Sequence, residues 1–82
     1  MRFMVIETFK ARRAIVYERY RQQGRMLPDG LRYIDSWTER DGNRCFQLVE
    51  SDKPELFETW IAKWNDLVEF EIVTLESSSM NG

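Results

Sequence analysis

At 82 residues, with 12 Lys and Arg against 14 Asp and Glu, the chain provides for one small domain of nearly balanced charge. An aromatic content of 13% is too rich for a disordered chain, and a pI near 5.1 argues against a nucleic-acid partner, which wants a basic face. Histidine is absent and Cys45 is the single cysteine, which excludes Ser-His-Asp and Cys-His catalysis, His-ligated metal or haem and an internal disulfide.

Residues 2–9 predict a strand whose central run, Phe3-Met4-Val5-Ile6, is apolar on both faces. That run is far shorter than the ~18 residues of a membrane span or the ~7–15 of a signal-peptide core. No membrane partner is expected, and a reduced cytoplasmic setting is the simplest expectation. Lys10 to Gln23 predicts a helix stopped by Gly24, with Ala11, Ala14, Ile15 and Tyr17 on its apolar stripe. Pro28-Asp29-Gly30 is a turn.

Leu31–Glu39 and Asn43–Glu50 predict two strands joined at Asp41-Gly42, the strongest hairpin signal in the chain. Ser51 or Asp52 caps a second helix with Pro54 in its first turn and an apolar stripe of Leu56, Phe57, Trp60, Ile61 and Trp64. Core packing is the expected role of that stripe. Leu67–Leu75 alternates as a fourth strand. The whole forms one domain over residues 1–76, with 77–82 expected to be a loose tail. None of the four glycines builds a nucleotide-binding loop, so no cofactor is expected.

The order β-α-β-β-α-β predicts an α+β, ferredoxin-like fold: a four-stranded antiparallel sheet covered on one face by two helices. The other face then needs a partner, and a second copy of the chain is the expected one. A two-residue loop at Asp41-Gly42 pairs Trp37 with Phe46, Asp35 with Leu48, Ser36 with Gln47 and Thr38 with Cys45. The bulkier set (Tyr33, Trp37, Phe46 and Leu48, with Val68, Phe70 and Ile72) is assigned to the helices. The mixed set is assigned to the uncovered face. Arg32, Ser36, Cys45, Gln47, Glu69 and Glu71 then become the candidate ligand-binding residues of a cavity shared between two sheets. Equally, these polar groups pair only with one another across an interface. Cys45, without a histidine, reads better as a small buried hydrophobe than as a nucleophile. Asp35 and Glu50 are weaker acid–base candidates.

Charge is uneven along the chain. Lys10, Arg12, Arg13, Arg19, Arg21 and Arg25 gather around the first helix against Glu18 alone, whereas residues 50–76 are strongly acidic. Two solvated helix faces that pair with each other within the fold or dimer are a simpler explanation than an anionic ligand or nucleic acid on the first helix.

Gly24-Arg25-Met26-Leu27-Pro28-Asp29-Gly30-Leu31-Arg32-Tyr33-Ile34-Asp35-Ser36-Trp37 resembles a bacterial family known as domain of unknown function 3303. So do Arg44 to Glu50, Trp60-Ile61-Ala62-Lys63-Trp64 and Asp66 to Glu71. The resemblance implies a dimeric α/β barrel, two ferredoxin-like protomers packed sheet to sheet, and no particular activity. Relatives by fold include cofactor-independent oxygenases, lactone isomerases and haem-degrading enzymes. The last type relies on histidine, absent here, and no motif of the others maps onto this chain. Two functions therefore stand open. One is a small-molecule-binding homodimer with cofactor-independent oxygenase- or isomerase-like activity. The other is a non-catalytic interaction or regulatory module whose sheet face serves only as a dimer interface.

Overall fold

The computed structural model describes residues 1–77, so all but the first residue of the expected tail lies outside the described residues. The elements run β1 (Arg2–Phe9), α1 (Arg13–Gln23), β2 (Arg32–Thr38), β3 (Arg44–Glu50), α2 (Leu56–Ala62) and β4 (Val68–Leu75). The sheet order is β2-β3-β1-β4 with every neighbouring pair antiparallel, the α+β arrangement that the element order predicts. Phe3, Val5, Glu7 and Phe9 alternate along β1 as its buried residues. They meet Phe57, Trp60 and Trp64 from the second helical segment and Val16 from α1. Trp60 is 1% exposed and packs edge-on against Phe70, and Phe57 packs edge-on against Phe3. The core therefore joins the inward face of β1 to the aromatic stripe that runs from α2 into the turn after it.

Both helices begin later than their sequence limits. Arg12 occupies the N-cap of α1 without a side-chain cap and without an acid in the first turn, so nothing holds Lys10–Arg12 in a helix. Arg13 instead donates to the carbonyls of Glu39 and Gly42, at 3.0 and 2.5 Å, tying the helix start to the β2–β3 hairpin. Ser51 does not cap α2 directly. Its Oγ donates to the Gly30 carbonyl at 2.6 Å and accepts from the Lys53 N–H at 2.9 Å, fastening the approach to α2 onto the Pro28–Gly30 turn.

The uneven charge is paired within the fold at one point, between α1 and the approach to β4. Arg19 on α1 makes a two-pronged bond to Asp66, at 2.7 and 2.6 Å, and its guanidinium lies 5.5 Å from the Trp64 ring. Lys10 Nζ donates to the Asn65 carbonyl at 2.8 Å.

The hairpin pairing is as expected from Asp35 to Thr38, but the faces are exchanged. Phe3 opposes Val49, Val5 opposes Gln47 and Glu7 opposes Cys45, so the mixed set of β3 lies under the helices. Trp37, Phe46 and Leu48 lie on the open face with Met4 and Ile6 of β1, and Trp37 is 50% exposed. Bulk misleads here because both faces carry large residues: Phe3, Phe9 and Phe70 fill the helical side from β1 and β4, where β3 contributes only Cys45, Gln47 and Val49. A bulge between Tyr33 and Asp35 shifts the register there. It pairs Tyr33 with Val49 and keeps Tyr33 alone of the bulkier β2–β3 set on the helical side, where it was expected, away from Trp37. The β4 assignment stands, with Val68 buried and Phe70 and Ile72 packed against the core.

Candidate functional site

Since the helices cover Gln47 and Cys45, a cavity of about 350 Å³ opens between α1 and the sheet. Glu7 and Gln47 line its buried side, 7% and 6% exposed. Tyr17, Trp60 and Trp64 supply apolar wall, and Tyr20, Arg21 and Arg25 reach its outer side. The volume lies at the lower end of the ~300–1,000 Å³ typical of small-molecule sites.

A connected polar chain crosses this cavity. Gln47 Nε2 donates to Glu7 Oε1 at 2.8 Å, while Gln47 Oε1 accepts from Arg25 Nε at 3.0 Å. Arg25 also donates to the Tyr20 hydroxyl at 3.1 Å and, over 3.4 Å, to Ser36 Oγ. Ser36 Oγ is 2.7 Å from the Tyr33 hydroxyl, and the Arg25 guanidinium sits 3.8 Å from the Tyr33 ring centre. Burial raises the Glu7 pKa above its ordinary 4.5, against the pull of hydrogen bonds from Gln47 and Cys45 and of the Arg25 charge. Burial, with the Glu7 charge beside it, pushes the Cys45 thiol up to about 11. Cys45 is therefore a thiol at neutral pH and serves as a donor, not a nucleophile.

The loop between α1 and β2 is shaped to deliver Arg25. Gly24 has φ 69° and ψ −161°, a region open essentially to glycine alone, and Met26 has φ 59°. The Arg25 carbonyl between them accepts the indole N–H groups of both Trp60 and Trp64, at 2.8 and 3.0 Å. The tryptophans are core residues, as their spacing predicts, and they also pin this loop.

Of the six residues expected at the site, Ser36, Cys45 and Gln47 line the cavity together. Arg32 lies at the sheet edge, ion-paired with Glu50. Glu69 and Glu71 pair with Thr8 and Ile6, which puts them on the open face, across the sheet from the other three. Asp35 is exposed on that same face, and Glu50 is occupied by Arg2 and Arg32. Glu7 and Arg25 join the site without having been expected there. The signal for Glu7 is in the sequence: it is the one acid in the inward alternation Phe3, Val5, Glu7, Phe9. Arg25 carries no comparable signal, since its direction depends on the conformation of Gly24 and Met26.

The model of one family, domain of unknown function (DUF3303), matches residues 1–79. The chain belongs to this family. No curated protein and no solved structure matches it at a significant level. Among the described residues no cluster of three or more His, Cys, Asp or Glu side chains is placed to hold a metal ion. No helix of the described residues is long and apolar enough to cross a membrane.

Proposed function

We propose that this protein binds a small, partly apolar molecule in the cavity between its helices and its sheet. Glu7 is the group through which a bound molecule would exchange a proton, giving a cofactor-independent, isomerase-like chemistry. The observation that carries this reading is a carboxyl group 7% exposed on the wall of a largely apolar cavity of about 350 Å³. A buried carboxyl whose pKa is raised by its surroundings is suited to give a proton to a carbonyl oxygen, or to take one back. Gln47 fixes its orientation from one side.

The open sheet face supports the proposal of a homodimer, the barrel-forming arrangement that the family resemblance implies. Met4, Ile6, Phe46 and Leu48 form its apolar centre, with Glu69 and Glu71 on the β4 side and Arg32 and Arg44 on the β2–β3 side. A purely structural dimer would use this face equally well. What favours ligand binding over that alternative is the cavity on the other side of the sheet.

The test is a ligand-observed NMR screen of small aromatic and aliphatic fragments against the protein and against Ser36→Phe, which places a ring in the cavity. Hits that bind the first and are lost from the second, with the circular dichroism unchanged, are the expected result. Hits that bind both alike would overturn the cavity as the binding site.

A further inference from the structure

Arg25 is a half-buried cation with no acid beside it. The comparable half-buried arginines are accounted for: Arg19 is bonded to Asp66, and Arg13 to two backbone carbonyls. Arg25 forms no ion pair among the described residues, and its polar partners Gln47, Tyr20 and Ser36 are all neutral. These contacts and the Tyr33 ring fix the direction of the guanidinium. They use three of its five N–H groups, one of them over a long distance.

Neither Glu18 nor Glu7 forms an ion pair with this charge. Glu18 is taken by Arg21 at 2.6 Å, so the second arginine at the cavity brings little free charge. Glu7 is linked to Arg25 only through the Gln47 side chain, and burial raises its pKa while the Arg25 charge pulls it the other way. The cavity therefore presents a cation without an ion-pair partner at its outer side, apolar and aromatic walls, and a buried carboxyl at its inner side.

Resting on the cavity reading above, we infer that the ligand is a flat, aromatic or unsaturated monocarboxylate. Its carboxylate takes the remaining Arg25 N–H groups, its apolar body lies against Tyr17, Trp60 and Trp64, and a polar atom at its far end faces Glu7. A single cation among apolar walls matches a monoanion; a phosphate or dicarboxylate would bring more negative charge than Arg25 balances. A rigid guanidinium fork matches the planar carboxylate.

The test uses 2-naphthoate and its neutral counterpart 2-naphthalenemethanol, titrated into 15N-labelled protein. The three indole N–H signals report position. Trp60 and Trp64 line the cavity, whereas Trp37 lies on the open face and serves as an internal control. The expected result is that 2-naphthoate shifts the Trp60 and Trp64 signals and leaves Trp37 in place. Its affinity should exceed that of the alcohol by about tenfold or more, the scale of one charge-assisted pair. Arg25→Gln should bring the acid down to the level of the alcohol, with Arg25→Lys intermediate and both folds confirmed by circular dichroism. Equal binding of acid and alcohol, or acid binding that survives Arg25→Gln, would overturn the carboxylate assignment and leave the cavity reading standing. Failure of both probes to move Trp60 and Trp64 would count against the cavity reading itself.

Discussion

Glu7 sets the pH behaviour of the site. Its folded-state pKa is raised above 4.5, so its contribution to stability is fully present below the unfolded value and is lost as the pH rises through the folded one. Glu7→Gln removes that loss while keeping an acceptor for the Gln47 amide. The variant should thus be more stable than the parent at pH 8, with the gap closing toward pH 4 in urea unfolding curves. A gap that stayed constant with pH would mean that Glu7 is ionised and well solvated. Asp66 behaves oppositely. Its Arg19 partner holds it down at about 2, so its contribution is present above 3.8 and is lost as the pH falls through about 2. Cys45, pushed up to about 11, should resist iodoacetamide at pH 8 in the folded protein and react readily in denaturant. Mass spectrometry of timed samples reads the difference, and rapid labelling of folded protein would contradict the placement of Cys45 under the helices.

The α1–β2 and β2–β3 connections decide what the elements present to the cavity. Gly24→Ala adds a Cβ where no atom lies within 4 Å, so its cost is backbone strain alone, about 1–3 kcal/mol. Gly30→Ala, at φ 103°, also drives its Cβ to 2.6 Å from Leu56 Cδ1, and should cost more in thermal unfolding. Equal costs would mean that the packing of α2 yields freely at that turn. The element order, the four strands and the aromatic stripe of α2 were legible because each rests on periodicity read over many residues. The hairpin register was legible from Asp41-Gly42. Which face of that hairpin the helices cover was not, because both faces carry apolar residues and bulk pointed the wrong way. The bulge that frees Tyr33 to meet Arg25 left no mark in the sequence at Tyr33-Ile34-Asp35. Ser36, Cys45 and Gln47 stay together because they share a face whichever side it is, but that face is the helical one and not the open face where the shared cavity was expected. Glu69 and Glu71 lie on the open face, as expected, and part from the other three because the β2 and β3 faces are exchanged.

On the proposed reading, the molecule divides ligand binding and self-association between the two sides of one sheet. The helical side holds the cavity, its cation and its buried acid, and the open side holds an apolar centre flanked by charged residues. If the open face is the seat of a second copy, Phe46→Lys should yield a folded monomer in sedimentation velocity, since a buried unpaired ammonium would oppose association. A dimer unaffected by that change would place the interface elsewhere. The most direct test of this division is native mass spectrometry of the protein, Ser36→Phe and Phe46→Lys, each recorded with 2-naphthoate. The account predicts a loaded dimer for the first, an unloaded dimer for the second and a monomer for the third. Naphthoate retained by Ser36→Phe, or a parent protein that stays monomeric, would contradict it.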